Sequence, residues 1–271
     1  MSMSDPCSEW GFLIVLSAPP INHAVIAPNR SRCEFCDTVG TMRLQSVSPE
    51  VANNVRFVRD QIAEAARICG RDPSEVHLIA VSKRKSVDLI RAAYAAGVTN
   101  FGENYLQEAV PKIHSLRDLN ATWHFIGAIQ SNKTKLIAEN FNWVHTLSTE
   151  KTARRLSDQC PLEKTLDVCL QVNIDQDPDK AGIASDQVTP LLQLAGTLPR
   201  LRVRGLMTVL QQSSNPADGY RRLATLWEDL RAGGGQHWDT LSMGMSGDFR
   251  AAISAGATHV RIGTAVFGDR N

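Results

Sequence analysis

The sequence carries almost no net charge. Its 29 basic and 28 acidic residues leave a formal charge of +1 over 271 residues. Nucleic-acid-binding domains usually show a basic patch or stripe, whereas the basic residues here are spread along the chain without interleaved aromatic residues. This balance argues against nucleic acid or an acidic membrane surface as the main partner.

Long hydrophobic runs and paired cysteines are also missing. No stretch approaches the roughly 20 apolar residues of a membrane span. The apolar run at 12–16 is too short for a signal-peptide core, and no Lys or Arg precedes it. The six cysteines do not form a disulfide framework, so we expect a reducing, cytoplasmic setting.

Residues 1–41 lack the regular patterns of the rest of the chain. The motif CEFC at 33–36 has no second pair of ligands at a spacing that a zinc site would need, so we predict no metal. Met42 offers an alternative translation start. We therefore predict that 1–41 is an extension, disordered or a non-native start, and that 42–271 form the folded domain.

From Met42 onward, helical and strand patterns alternate. Residues 49–69 predict an amphipathic helix with Ser48 as its N-cap and Gly70 as its stop. Eight short apolar runs, rich in β-branched residues and separated by helical stretches, then predict strands. These runs are 77–83, 99–104, 123–128, 143–147, 167–173, 202–209, 239–244 and 259–268.

Eight strands with helical crossovers predict a parallel sheet, and in one α/β domain of this size they predict a single (β/α)8 TIM-type barrel. An open doubly wound sheet is the alternative, but the G-x-G-x-x-G loop of that fold is missing after the first strand. Only three residues follow the eighth strand. We therefore expect helix 49–69 to take the place of the last barrel helix.

Chemistry in such a barrel belongs to the C-terminal ends of the strands. The loop SMGMSGD at 242–248 follows the seventh strand, and we predict Ser246 as the N-cap of a helix starting near Gly247. Gly263 and Thr264 follow the polar part of the eighth strand. Small residues at this pair of loops predict a phosphate site, with simple tight turns as the alternative.

Lys83 ends the first strand, on the same face of the barrel. A partly desolvated amine in this position is a nucleophile that can form a Schiff base with an aldehyde. A phosphate-bearing aldehyde held by both anchors would be pyridoxal phosphate or a sugar phosphate. Spacing alone leaves Lys85, two residues further, as an alternative amine.

These residues lie in segments that resemble the pyridoxal phosphate homeostasis proteins, which are related to the N-terminal barrel of alanine racemase. Each segment is a weak signal alone, but together they follow the family order over everything after the N-terminal extension. The matching segments are LIAVSK (78–83), FGENYLQEAVPKI (101–113), WHFIGAIQSNK (123–133), VNIDQDPDKAGI (172–183), RGLMTV (204–209) and LSMGMSGDFRAAISAGATHVRIGTAVFG (241–268).

The resemblance implies that Lys83 is the Schiff-base lysine for pyridoxal phosphate. Arg261 matches the arginine that faces the pyridine nitrogen in the racemase barrel. Because a guanidinium only donates, it keeps that nitrogen unprotonated and makes the ring a poor electron sink. Ala128 departs from the pattern, where a larger residue is expected. The other expected cofactor contacts are Ser246, Gly263 and Thr264 on the phosphate, with Met245, Ser242 and Asn104 nearby.

Two functions remain open. The first is a carrier that buffers pyridoxal phosphate and delivers it to apo-enzymes that require it; we expect this carrier to be a monomer. The second is a racemase-like enzyme, which needs acid/base groups on both faces of the cofactor. Of the three tyrosines, we expect only Tyr105 near the strand ends, packing or capping a helix. The missing second acid/base group favours the carrier, and the Arg261 match counts against a third possibility, a Schiff-base aldolase.

Overall fold

The structure is a computed structural model that describes residues 49–211 and 215–268. The predictions for residues 1–41, for a start at Met42 and for the Ser48 cap lie outside the described residues.

Eight parallel strands close into a barrel, in which each strand pairs with the next one in sequence and the last pairs with the first. The predicted (β/α)8 barrel is therefore confirmed. The strands are β1 (His77–Val81), β2 (Asn100–Glu103), β3 (Thr122–Phe125), β4 (Trp143–Leu147), β5 (Leu166–Gln171), β6 (Leu201–Met207), β7 (Thr240–Ser242) and β8 (His259–Ile262).

Helices surround the barrel and form the crossovers between its strands. Short 3₁₀ turns at Pro73–Glu75 and Ser185–Gln187 precede β1 and the sixth helix. The helices are α1 (Pro49–Ile68), α2 (Val87–Ala95), α3 (Leu106–Ser115), α4 (Thr134–Asn140), α5 (Glu150–Gln159), α6 (Val188–Gly196), α7 (Pro216–Asp229), α8 (Arg231–Gly234), α9 (Phe249–Ser254) and α10 (Thr264–Phe267).

The first helix closes the ring of helices. Its buried face includes Val51, Val55, Val58 and Ile62, which recur at helical spacing. It packs against α2, α9 and α10, which follow β1, β7 and β8. Helix α1 therefore occupies the place of the last barrel helix, as predicted, and Gly70 follows it with a positive φ of 69°.

The eighth strand is shorter than the sequence pattern predicts. It ends at Ile262, and residues 264–267 form the short helix α10 instead of a continuing strand. The run Ala265, Val266, Phe267 is apolar throughout, and a continuous apolar run does not distinguish strand from buried helix. The shorter strand places Gly263 and Thr264 at the mouth of the barrel.

The barrel interior differs from the layer between strands and helices. The outer layer is a continuous apolar core. Inside the barrel, by contrast, His124, His145, Ser242 and Arg261 are all buried. Buried polar groups need partners, so this interior contains a hydrogen-bond network.

Candidate functional site

A cleft opens at the C-terminal mouth of the barrel, between β1 and β8. It brings together Lys83 with Gly263 and Thr264, which the sequence predicted as an amine facing a phosphate site. Its described lining residues are Val81, Lys83, Arg84, Lys85, Tyr105, Gly263, Thr264 and Gly268. Gly263 lies close to the first strand, because a Cβ on it would be 3.2 Å from the carbonyl oxygen of Val81.

A tight turn presents Lys83 to this cleft. The backbone N–H of Lys85 donates to the carbonyl of Ser82 (3.0 Å), and Arg84 adopts a positive φ of 59°. A left-handed conformation at a residue other than glycine is strained, and such strain concentrates at functional sites. The Nζ of Lys85 donates to the carbonyl of Gly268 (3.0 Å), so this second lysine is bound at the end of α10.

Behind Lys83 lies a buried cluster made by Ser82, Glu103 and Lys112. Ser82 Oγ donates to Glu103 Oε1 (2.7 Å), and Lys112 Nζ donates to the same oxygen (3.0 Å). Lys112 also donates to the carbonyl oxygen of Ser82 (2.9 Å). Burial raises the pKa of the Glu103 carboxyl, although both hydrogen bonds oppose the shift. The cluster fixes the backbone immediately before Lys83.

The loop after β7 is closed by Asp248, and the prediction that Ser246 caps the next helix is wrong. Helix α9 begins at Phe249, and the Asp248 carboxylate accepts hydrogen bonds from the Met245 N–H (2.6 Å) and from the Tyr220 hydroxyl (2.9 Å). Asp248, two residues after Ser246, stands at the N-cap position instead, and its carboxylate binds the loop and Tyr220 rather than an N–H group of the helix. Met245 and Ser246 themselves are exposed.

Tyr220 corrects a second expectation, that only Tyr105 lies near the strand ends. Its ring is buried, but its hydroxyl reaches Asp248 beyond the end of β7. Burial and the neighbouring Asp248 carboxylate raise the pKa of Tyr220. It therefore holds the loop as a neutral hydrogen-bond donor.

Arg261 lies deeper than the cleft. Its Nη1 donates to Ser242 Oγ and its Nη2 to the carbonyl oxygen of Thr208, both at 2.8 Å. Burial lowers the pKa of this guanidinium, which nevertheless stays charged in proteins. Arg261 and Ser242 are not among the described residues that line the Lys83 cleft.

A second cleft adjoins the first and shares Tyr105 with it. Asn104 lies here, and its buried Oδ1 has no hydrogen-bond partner among the described residues. An unpaired buried acceptor marks a place where a ligand or water can bind. Ala128, Gln130 and Lys133 complete this side, so the small residue that departs from the family pattern lines a cleft.

The comparisons with known proteins agree with this geometry. Residues 53–271 match the family model for the alanine racemase N-terminal domain. The pyridoxal phosphate homeostasis protein of Pseudomonas aeruginosa is 49% identical over 225 residues, which cover 82% of this chain and 96% of that protein. That of Escherichia coli is 45% identical over 229 residues, covering 82% and 97%. The chain belongs to the pyridoxal phosphate homeostasis protein family.

Solved structures support this family assignment. PipY of Synechococcus elongatus, solved with pyridoxal phosphate bound, has 36% identity and a TM-score of 0.71, over 80% of this chain and 100% of PipY. Alanine racemase from Corynebacterium glutamicum has 18% identity and a TM-score of 0.60, over 82% of this chain and 61% of that one. The racemase comparison shows the fold alone. The resemblance inferred from the sequence is confirmed.

In this family member the predicted site residues fall into four groups. Lys83, Gly263 and Thr264 share the first cleft. Asn104 lines the second cleft, whereas Met245 and Ser246 lie on the exposed loop after β7. The last group, Ser242 and Arg261, is buried inside the barrel. These placements leave the cofactor contacts as predictions.

The residues of the first cleft fit a small molecule with an aldehyde and a phosphate. Lys83 supplies an amine, and the N–H groups of Thr264 and Ala265, at the start of α10, have no acceptor within the helix. The unpaired Oδ1 of Asn104 adds an acceptor nearby. Among the residues that the structure describes, no cluster of three His, Cys, Asp or Glu side chains could hold a metal ion. No described helix is both long and apolar enough to span a bilayer.

Proposed function

We propose that the chain binds pyridoxal phosphate, with Lys83 as the Schiff-base lysine, and that it stores and delivers this cofactor without turning over a substrate. One observation carries the proposal. In a barrel similar to PipY, which binds pyridoxal phosphate, the strand-end amine of Lys83 shares a cleft with Gly263 and Thr264. When bound, this cofactor supplies an electrophilic aldehyde and an electron-withdrawing ring.

The roles of the chain's own residues follow from their positions. Lys83 provides the nucleophilic amine, and Gly263 and Thr264 provide backbone donors for the phosphate, with Ser246 on the neighbouring loop. Arg261, which carries its positive charge in the barrel interior, holds the proton away from the ring nitrogen. This choice of partner makes the cofactor a weak electron sink, as a carrier requires.

A reducible covalent bond tests the role of Lys83. The purified protein, mixed with pyridoxal phosphate, should absorb in the visible range, and borohydride should fix the cofactor on the peptide that contains Lys83. Lys83→Ala should remove both signals. Lys135→Ala is the matched control, because Lys135 is 70% exposed on α4 and should leave both signals unchanged. A wild type that acquires no chromophore would overturn the proposal.

The choice between the two lysines of the β1 turn needs its own variant. Lys85→Ala should retain the reducible bond, because the Nζ of Lys85 already donates to the carbonyl of Gly268. Peptide mapping after reduction locates the modified lysine directly. A modified Lys85 in the wild type would contradict the assignment to Lys83.

A racemase-like activity is the second candidate, and Tyr105 is the observation that favours it. Tyr105 is 46% exposed and lines both clefts, so its hydroxyl is accessible for proton transfer. Incubation with L-alanine in deuterated water tests this candidate. Exchange at Cα that Lys83→Ala and Tyr105→Phe both abolish would establish an enzyme, whereas no exchange supports the carrier.

Delivery of the cofactor to another protein is the remaining part of the proposal. The holo protein should reactivate an apo-enzyme that requires pyridoxal phosphate faster than the same concentration of free pyridoxal phosphate mixed with Lys83→Ala protein. We place this transfer in the cytoplasm and assign it to a monomer. Sedimentation of the apo and holo forms checks the monomer.

A further inference from the structure

An unbroken line of hydrogen bonds crosses the barrel interior from Arg261 to the base of β2. Arg261 Nη1 contacts Ser242 Oγ at 2.8 Å, and Ser242 Oγ contacts His145 Nδ1 at 2.8 Å. His145 Nε2 lies 2.9 Å from His124 Nδ1, and His124 Nε2 lies 3.0 Å from Asn100 Oδ1. The line joins five strands, β8, β7, β4, β3 and β2, and its step from Ser242 to His145 crosses from one side of the chain order to the other.

The two ends of the line set the direction of every proton in it. A guanidinium only donates, so Ser242 Oγ accepts from Arg261 and its own proton is available for His145 Nδ1. At the other end, the amide nitrogen of Asn100 lies 3.3 Å from Thr99 Oγ1, which leaves its carbonyl oxygen to accept. Both histidines must then carry their proton on Nε2 and accept on Nδ1.

The surroundings keep both imidazoles uncharged. His124, His145 and Ser242 are fully buried, and the ring of Trp143 stacks on His124 at 5.5 Å. Burial lowers the pKa of both histidines, and the positive charge of Arg261 acts in the same direction on His145. A neutral imidazole has one donor and one acceptor, which is what each position in the line requires.

We propose that His145 and His124, acting through Ser242, are positioning residues that hold the Arg261 guanidinium in one orientation toward the pyridine nitrogen of the cofactor. The inference rests on the proposed function. Arg261 has five N–H donors, and the Ser242 and Thr208 contacts fix two of them from inside the barrel. Without the His145 acceptor, the Ser242 hydroxyl would be free to rotate, and only the contact with the Thr208 carbonyl would still fix Arg261.

Two substitutions at His145 separate this role from general packing. His145→Asn places an amide oxygen near the position of Nδ1 and so retains an acceptor for Ser242. His145→Leu retains comparable volume but has no acceptor. We expect pyridoxal phosphate to bind about tenfold more weakly to His145→Leu, the equivalent of about 1.4 kcal/mol, and within about twofold of wild type to His145→Asn.

The absorption spectrum of the bound cofactor is the second readout. A loosely held Arg261 no longer excludes a proton from the ring nitrogen, so the spectrum of His145→Leu should depend on pH where wild type and His145→Asn do not. Folded His145→Leu protein with wild-type affinity and a wild-type pH profile would overturn the inference. An unliganded wild type would instead overturn the proposed function, so the two failures are distinguishable.

The wild type itself provides a test if His145→Leu does not fold. Long-range ¹H–¹⁵N spectra report which ring nitrogen of each histidine carries the proton. We expect His124 and His145 to be neutral with the proton on Nε2, with and without pyridoxal phosphate. A proton on Nδ1 of His145 would break the line at Ser242 and contradict the inference.

Discussion

Two buried carboxylates lie at opposite ends of the barrel and are satisfied to different degrees. Asp167, at the start of β5, receives Arg202 and Arg204, and both of its oxygens accept hydrogen bonds. Glu103, at the end of β2, accepts from Ser82 and Lys112 on Oε1 only, and its buried Oε2 has no partner among the described residues.

The difference agrees with a base that serves stability and a mouth that holds the ligand site proposed above. At the base, the charges pair with each other, which is what the stability of the fold alone requires. At the mouth, Glu103 holds Ser82, the residue before Lys83, and burial raises the pKa of its carboxyl. An incompletely paired buried group lowers stability, so its presence beside Lys83 indicates a functional constraint.

A fall in pH should produce the largest loss of stability, because the barrel interior between the two carboxylates contains histidines that are uncharged in the folded state. Burial lowers the pKa of His124 and His145 well below the ordinary value, and that of His259 to about 3. Above pH ~6.5 these rings are neutral whether folded or unfolded. Below pH ~6.5, only the unfolded chain takes up protons. The free energy of unfolding therefore falls by about 1.4 kcal/mol per pH unit for each histidine, until the pH reaches the folded-state pKa.

Urea denaturation between pH 8 and pH 5 measures this slope. His124→Asn should reduce it, whereas His114→Asn, at an exposed histidine on α3, should leave it unchanged. A stability that stays constant from pH 7 to pH 5 would contradict the neutral interior. The charged and titratable groups that face the three rings are His77, Arg204, Asp239 and Arg261, together with the three histidines themselves.

Removal of Glu103 should be the most damaging change at the mouth. Glu103→Ala leaves the Lys112 ammonium, which is only 12% exposed, without its main partner. Breaking a buried pair in this way costs about 3–5 kcal/mol of unfolding free energy. Equilibrium urea unfolding at pH 7 measures the loss, and a change below about 1 kcal/mol would contradict the role of the pair.

Glu103→Gln is the matched variant, because it preserves the shape of the side chain. The folded carboxyl has a raised pKa, so the folded state gains from binding a proton as the pH falls toward the ordinary value of 4.5. Wild type should therefore gain stability relative to Glu103→Gln as the pH falls from 7 to 5. An opposite trend would mean that Lys112 outweighs burial.

Asp167→Ala at the base should cost less, about 2 kcal/mol, and should not affect the cofactor. The Arg202 side chain is 38% exposed, so water can solvate it once the carboxylate is gone. Arg204 retains its pair with Asp239 at 2.6 Å. Urea unfolding and pyridoxal phosphate titration together check this variant, and weakened binding would show that the two ends are coupled.

The sequence predicts which residues lie at the strand ends better than it predicts which side chains meet across the barrel. Lys83, Gly263 and Thr264 were predictable because parallel strands bring their C-terminal ends to one face. The line through His145 was not, because a histidine in a strand pattern gives no sign of which neighbour it meets across the barrel. The same holds for Glu103, whose partner Lys112 lies on α3 and becomes adjacent only when that helix packs on the barrel.

Ser246 illustrates a different failure. Ser and Asp are both favoured N-cap residues, and the loop contains one of each close to the start of α9. Local preference could not decide between them. A long-range contact distinguishes the two residues: the hydroxyl of Tyr220 on α7 binds Asp248 and so helps to fix the loop conformation.

The two ends of β7 allow the smallest and most closely matched comparison. At the base, the hydroxyl of Thr240 donates to Asp239 Oδ1 at 2.8 Å, and at the mouth the hydroxyl of Tyr220 donates to Asp248 Oδ2 at 2.9 Å. Each is a single neutral donor on a carboxylate. We expect Thr240→Val and Tyr220→Phe each to lower the unfolding free energy by about 1 kcal/mol.

The two substitutions should differ in their effect on cofactor affinity, because only Asp248 holds a loop of the proposed site. Asp248 also accepts from the Met245 N–H, so Tyr220→Phe loosens the loop that carries Ser246 and should weaken pyridoxal phosphate binding severalfold. Thr240→Val should leave binding unchanged, since Asp239 still pairs with Arg204. Titration of both variants measures the contrast, and equal affinities would show that the loop after β7 contributes nothing to the phosphate site.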